Sequence, residues 1–314
     1  MTKGAILIAG PTASGKSALA LRLAEAVGGA VINADSMQVY RELRILTARP
    51  TPADEARAPH MLYGVLPAAE ACSVGRWLEL ARDALAATRA SGQVPIIVGG
   101  TGLYLRALTE GLAPVPHIAA DIRAAARRLH DELGGPAFHA RLADRDPVMA
   151  ARLRPSDPQR LIRAYEVIEA TGVSLADWQG RPPAPPVLNR PWQGVLLEPP
   201  RSLIYDRCNR RLAAMLAEGA LDEVRALAGL ALDPALPAMR AVGVAPLLGH
   251  IRGEIPLAAA LAAAQTATRR YAKRQYTWFR HKMLSWQRYS AKDSESFFEK
   301  IFPIISQFLL TDAD

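Results

Sequence analysis

The sequence is poor in cysteine: Cys72 and Cys208 are the only two in 314 residues, far apart and outside any C-x-x-C or Cys/His cluster. That usage excludes a disulfide framework, argues against a zinc site and suits a reducing compartment, so a cytoplasmic location and two small buried thiols are expected. No apolar run approaches the roughly 20 residues that a bilayer-crossing helix needs, and no membrane association is expected. The first strand begins so near the N-terminus that no signal peptide is expected either. Internal repeats are lacking, and no obligate protein partner is evident. Acidic residues are also short: 38 Lys and Arg face 30 Asp and Glu, a formal charge of +8 that favours an anionic partner such as nucleic acid. Half the residues are apolar, enough for a sizeable core in one large domain or a core with a smaller appended one.

What the sequence has in full is a phosphate-binding signature. The apolar run Ala5-Ile6-Leu7-Ile8-Ala9 leads into Gly10-Pro11-Thr12-Ala13-Ser14-Gly15-Lys16-Ser17, a complete G-x-x-x-x-G-K-S. This pattern predicts a buried strand, a tight glycine-rich turn and a helix whose N-terminal amides face phosphate oxygens. Lys16 adds a mobile positive charge, and the Ser17 hydroxyl suits a phosphate-bound Mg2+. Which phosphorylated compound is held does not follow from the loop.

Further elements follow in alternation. A helix ends at Gly28-Gly29, and a second strand, Ala30 to Ala34, delivers Asp35-Ser36-Met37-Gln38-Val39-Tyr40 at its carboxyl end, the edge where ligands bind in open α/β sheets. Residues 41–72 read as irregular, with a lone His60 that nothing nearby completes into a metal site. A helix over 73–90 precedes a third strand, Val94 to Val98, and Gly99-Gly100-Thr101-Gly102, where glycines allow a close backbone approach. Strand and helix alternation predicts a parallel, doubly wound sheet. Residues 119–172 are rich in Ala, Leu and Arg with no convincing strand, and read as helical, with Arg123, Arg127 and Arg128 on or near one face. Asp157-Pro158 starts a helix that stops at Gly172 and projects Arg160 and Arg163 from one side, either a solvated face or a phosphate contact. After a proline-rich linker, a strand at 193–198, a long helix over 202–227 and a basic helix over 265–282 are expected. In that last segment Arg269, Arg270, Lys273, Arg274, Arg280 and Lys282 alternate with Tyr271, Tyr276, Trp278 and Phe279, a texture that favours nucleic acid, although aromatics packed inward beneath solvated cations would look the same.

Taken in order over residues 4–282, these stretches resemble the tRNA dimethylallyltransferase family. The resemblance rests on the phosphate loop, Asp35 to Tyr40, Thr47-Ala48-Arg49-Pro50-Thr51, Gly99 to Tyr104, Asp157-Pro158-Gln159-Arg160, the arginines ending at Arg211, Ala238 to Gly243, and Arg269 to Gln275 with Thr277 to Arg280. Departures are Glu42, Arg44, Leu46 and Arg49 in the loop, Met61 and Val244. The resemblance implies an α/β, P-loop NTPase-like parallel sheet core (1–115 and 192–290), an inserted helical subdomain contacting RNA (116–191) and a C-terminal tail (291–314). It also implies transfer of a dimethylallyl group from dimethylallyl diphosphate to N6 of the adenine beside the anticodon, with the tRNA anticodon stem-loop as partner. Asp35 is then the candidate base and Thr101 the residue that holds or orients the flipped adenine. Gly10 to Ser17 would bind the diphosphate, with Arg211 stabilising it as it leaves and Mg2+ on Ser17. Asp35, Ser36, Met37, Gln38, Thr101, Arg123, Gln159, Arg160, Leu161, Ile162 and Arg163 would contact tRNA. A P-loop kinase or nucleotide hydrolase, a prenyltransferase for free adenosine nucleotides and a non-catalytic RNA-binding module are the competing classes.

Overall fold

The computed structural model describes residues 4–189 and 191–311. Two compact units share the chain, one formed by Met1–Thr109 with Val187–Asp314 and the other by Glu110–Pro186. In the first run β1 (Ala5–Ala9), α1 (Lys16–Val27), β2 (Gly29–Asn33), α2 (Pro52–Arg57), β3 (His60–Met61), α3 (Val74–Ala90), β4 (Val94–Gly99) and α4 (Gly102–Glu110). The second unit holds α5 (Ala120–Arg145), α6 (Pro147–Arg152), α7 (Pro158–Thr171) and α8 (Leu175–Gly180). The chain returns to the first with β5 (Trp192–Leu197), α9 (Arg201–Ala217), α10 (Ala220–Gly229), α11 (Val244–Ile251), α12 (Leu257–Lys282), β6 (Gln287–Tyr289) and α13 (Ser294–Thr311).

All six strands are parallel, in the order β3-β2-β4-β1-β5-β6. Alternation along β1 shows why both faces are covered. Ala5, Leu7 and Ala9 face one core with Trp77, Leu105 and Phe279, while Ile6 and Ile8 face the other with Leu19, Leu23 and Phe297. Because β4 lies between β2 and β1, the chain segments after these three strands meet at one edge. There Gly99 is required sterically, since an added Cβ would sit 2.0 Å from the Ala34 carbonyl oxygen. The helical unit has its own core, around Phe138, Leu142, Leu161 and Val167. Its longest helix, α5, is interrupted at Gly134, whose φ is 73°.

Several expectations are corrected. The stretch 41–72 is not wholly irregular: Thr51 and Asp54 form a reciprocal capping box with Pro52 at the first turn of α2, and His60-Met61 pair with Val31-Ile32 as a short edge strand. His60 itself is taken up by the Ala58 carbonyl, 2.8 Å from Nδ1. The helix expected over 202–227 is two, broken where Gly219 adopts φ 102°. The helical unit begins and ends earlier than 116–191, because Ala184 N–H donates to Leu112 O (2.8 Å) within it, whereas Leu188 is fully buried in the main core.

The segment 291–314 is also more than a tail; its residues 312–314 lie outside the described residues. α13 packs on α1 and buries Phe297, Ile301 and Ile305. Arg22 pairs with both Glu295 oxygens and lies 4.1 Å from the Phe298 ring centre. Phe297→Ala should therefore destabilise the main unit by about 3–5 kcal/mol, measured by urea denaturation; an effect below about 1 kcal/mol would mean that α13 is peripheral.

Candidate active site

The phosphate loop follows β1 directly. Gly15 holds φ at 91° as it starts α1, a conformation that a side chain would strain. Ser14 is buried and its Oγ lacks a hydrogen-bond partner, the condition of a hydroxyl awaiting a ligand. The loop opens on a cavity of about 660 Å³ whose wall includes Thr12 to Ala18, Asp35, Thr47, Arg207, Arg210, Arg211 and Asp293. The phosphate-loop residues Thr12 to Ser17 thus line one space, whereas Gly10 and Pro11 are buried and outside its wall.

Lys16 is half-buried, and desolvation lowers its pKa from near 10.5 to about 8; the Asp35 carboxylate offsets part of that shift and Arg211 adds to it. Arg211 is likewise pushed down from the ordinary guanidinium range by burial. Its Nη2 donates to Thr12 Oγ1. Arg207 reaches the Ala13 carbonyl at 3.5 Å and also donates to Lys292 O, linking the loop to the start of α13. Four cations around one concavity, two of them with charges that burial disfavours, make an anion site. The chemistry of the donors also fits a phosphate-bound Mg2+, with Ser17 as the protein's hydroxyl ligand.

Asp35 stands where β2 ends. Its backbone N–H donates to Asn33 Oδ1 (2.8 Å), and its carbonyl accepts from Asn33 Nδ2 (3.0 Å). Oδ1 accepts the Met37 N–H at 2.9 Å, which leaves Oδ2 without a hydrogen bond among the described residues. Thr101 Oγ1 accepts from Ser36 N–H (2.9 Å) and donates to Ser36 Oγ (3.2 Å). These bonds use its proton and one lone pair, so Thr101 orients the Asp35 turn and has a single lone pair left to offer. Gln38 is spent on structure as well: Nε2 donates to the carbonyls of Thr47 and Ala48, at 2.8 and 3.0 Å.

A second cavity of about 230 Å³ adjoins the first, sharing Thr12, Asp35, Thr47 and Arg211 with it. Met37, Leu46, Leu212, Met215, Ala241 and Val242 make much of its wall apolar. The Leu46 departure is thus a cavity residue, and the loop that carries it is locked by Glu223, whose carboxylate accepts the N–H groups of Arg44, Ile45 and Leu46 at 2.6–2.9 Å. Other departures are absorbed locally. Glu42 accepts Ala68 N–H, Arg49 donates to the carbonyls of Tyr40 and Arg41, and Val244 is fully buried.

In the helical unit Arg123 is anchored, Nε to Ile118 O at 3.0 Å and Nη2 near His117 at 3.3 Å. Gln159 and Arg160 are exposed, Arg160 beside Asp157 at 3.2 Å, and Arg163 pairs with buried Glu166 at 3.4 Å. Leu161 is corrected as an RNA contact: its side chain is fully buried in the unit's core, and Ile162 is half-buried. On α12 the aromatics mostly turn inward, Tyr276 and Phe279 being buried, while Arg270, Lys273, Arg274 and Arg280 are exposed. The aromatics of that helix, Tyr271 at the second cavity apart, belong to packing, and its exposed cations are left to solvent. Sequence alone gave no site role to Gln275, Thr47, Arg207 or Met215, although Thr47 and Gln275 lie in the stretches that carry the resemblance. For Gln275 the signal was a polar residue at a position of the buried stripe Thr268, Ala272, Gln275, Tyr276 and Phe279.

A cationic phosphate cradle, a cavity with an apolar side and a carboxylate where the two meet fit a P-loop-type transferase of an apolar group carried on phosphate. A family model described as IPP transferase matches residues 38–282, and one described as isopentenyl transferase matches residues 3–61. The tRNA dimethylallyltransferase of Rhodospirillum rubrum is 56% identical over 310 residues, covering 98% of this chain and 92% of that one. The tRNA dimethylallyltransferase of Phenylobacterium zucineum is 57% identical over 289 residues, with 92% and 93% covered. Among solved structures, the tRNA isopentenylpyrophosphate transferase of Bacillus halodurans has a TM-score of 0.68 at 31% identity, covering 99% of this chain and 98% of its own. A eukaryotic dimethylallyltransferase acting on tRNA has a TM-score of 0.78 at 25% identity, covering 93% and 75%. The chain belongs to the tRNA dimethylallyltransferase family.

The lowered pKa of Lys16 means that folding disfavours its charge, so its removal should not weaken the fold. Lys16→Ala should lower affinity for inorganic diphosphate about 10- to 100-fold by calorimetry while the melting temperature at pH 7 stays level or rises. Unchanged affinity would remove Lys16 from the cradle.

Proposed function

We propose that the protein transfers a dimethylallyl group from dimethylallyl diphosphate to N6 of adenine 37, the base beside the anticodon of tRNA, giving N6-isopentenyladenosine and diphosphate. The observation that carries this reading is the adjoining pair of cavities that share Thr12, Asp35, Thr47 and Arg211. One suits a diphosphate and the other a small branched hydrocarbon, with Asp35 at their junction. The N6 lone pair attacks C1 of the dimethylallyl group, the C1–O bond breaks, its electrons leave with the diphosphate, and the N6 proton passes to Asp35 Oδ2. Adenine's amine is a weak nucleophile, so stabilising the leaving group matters most; Lys16, Arg211 and the loop amides do this without reorganising. Mg2+ bound with the diphosphate and the Ser17 hydroxyl would add further neutralisation. Thr101 holds the Asp35 turn in register for the incoming base, which must be flipped out of its stack to react.

The exposed cations of α12, and separately Arg160 with Gln159 on the helical unit, support tRNA over a free nucleotide as acceptor. Such a substrate implies action in the cytoplasm. A kinase or hydrolase is disfavoured because β4, next to the P-loop strand, ends in Gly99-Gly100-Thr101 without a carboxylate, and because the Met37, Leu46, Leu212 and Met215 side of the second cavity has no use in hydrolysis.

The test is incubation of the protein with Mg2+, labelled dimethylallyl diphosphate and either unmodified tRNA or AMP. Label is expected in tRNA only, and is lost when adenine 37 is replaced. Label in AMP alone, or consumption of nucleoside triphosphate without transfer, would overturn the reading. Asp35→Asn should lower kcat about 100- to 10,000-fold with diphosphate affinity retained. Arg160→Ala combined with Arg163→Ala should weaken tRNA binding and flatten the dependence of log K on log salt by about one unit per lost phosphate contact. An unchanged slope would mean that this face does not grip RNA.

A further inference from the structure

Gln275 is a buried polar residue that the chemistry above does not use, 5% exposed on the inner face of α12. Both ends of its amide are engaged. Oε1 accepts the N–H of Thr12 at 2.8 Å, and Nε2 donates to the carbonyl of Gly100 at 2.9 Å. The partners fix its orientation, because a reversed amide would set donor against donor and acceptor against acceptor. The fit is close: a Cβ on Gly100 would lie 2.3 Å from Nε2. Among the described residues no other side chain hydrogen-bonds to both the phosphate loop and the end of β4.

What lies beyond each end of this bridge gives it meaning. On one side, Thr12 also receives Arg211 on its hydroxyl, so the residue held by Gln275 is the one that holds the leaving-group arginine. On the other, Gly100 precedes Thr101, whose hydroxyl holds the Ser36 amide beside Asp35. A continuous chain of hydrogen bonds thus runs from Arg211 through Thr12, Gln275 and the Gly100-Thr101 backbone to Ser36. Transfer between two substrates held by opposite ends of such a chain requires the reacting atoms about 3–3.5 Å apart and in line, and a misplacement of about 1 Å costs on the order of 100-fold.

We propose that Gln275 is a positioning residue that sets the separation between the diphosphate cradle and the acceptor-side loops, an inference that rests on the transfer reading above. It touches neither substrate; its effect is on the alignment of C1 with N6. Its loss should therefore appear in turnover and leave the affinity of each substrate alone nearly intact.

The test pairs two variants. Gln275→Leu removes both bonds. Gln275→Glu preserves them only while protonated, when its carbonyl oxygen accepts from Thr12 and its hydroxyl donates to Gly100; once ionised, it sets a negative oxygen against the Gly100 carbonyl. Gln275→Leu is expected to lower kcat about 10- to 100-fold with both KM values within about threefold of wild type. Gln275→Glu is expected to regain kcat as the pH is lowered, over a range where wild-type kcat does not rise. In substrate-free protein, hydrogen exchange at the Thr12 amide should quicken in Gln275→Leu, which reads the bridge without the reaction. Should Gln275→Leu fail to fold, the pH series of Gln275→Glu carries the test. Unaltered kcat, a loss confined to KM, or no recovery at low pH overturns the inference. Wild-type protein that transfers no label to tRNA would instead overturn the reading on which it rests.

Discussion

The site depends on how closely two backbones approach at the carboxyl edge of the sheet. Ala34 N–H donates to Val98 O at 2.8 Å, and Thr101 N–H returns to Ala34 O at 3.3 Å, so β2 and β4 stay paired past their ends. That pairing is possible only with no side chain at Gly99. From it, Asp35 and Thr101 emerge side by side, and the Ser36–Thr101 bonds fix their register. With β4 between β2 and β1, the same edge brings this pair next to the phosphate loop.

The electrostatics around that edge are uneven in a useful direction. Lys16, Arg207, Arg210 and Arg211 surround the larger cavity, whereas the smaller one adds Leu, Met, Ala and Val side chains to a wall that also holds Arg211, Arg240 and Arg274, and Asp35 borders both. Lys16 and Arg211 carry charges that burial disfavours. An anion entering the cradle relieves that cost, so binding and the stability of the loop are coupled.

Much of this was legible in the sequence where a local rule ties residue type to backbone. The phosphate loop needs its glycines and its helix start, and Asp157-Pro158 to Gly172 carries its own start and stop signals. Less legible was what depends on contacts remote along the chain. Leu161 lies within a stretch that the family resemblance assigns to RNA, yet helical spacing turns it into the core. Gln275 looked like part of a basic run, and only the fold brings Thr12 and Gly100 to either side of it. The turn at Gly219 was hidden by helix-forming neighbours, and the residues after 290 looked too mixed to pack until α1 offered them a face.

That last packing bears on how the protein is made. α1, the helix that the phosphate loop opens, leaves the ribosome long before its partner α13, which is separated from it by almost the whole described chain. Until α13 arrives, the face of α1 carrying Arg22 is uncovered and the Arg207–Lys292 contact that borders the cradle cannot form. During synthesis the nascent chain can assemble its helical unit, built from one continuous stretch, before the sheet unit closes around it in sequence. A chain translated only as far as β6 therefore has its whole insertion but an uncovered α1, so that the border of the cradle is completed only when α13 follows.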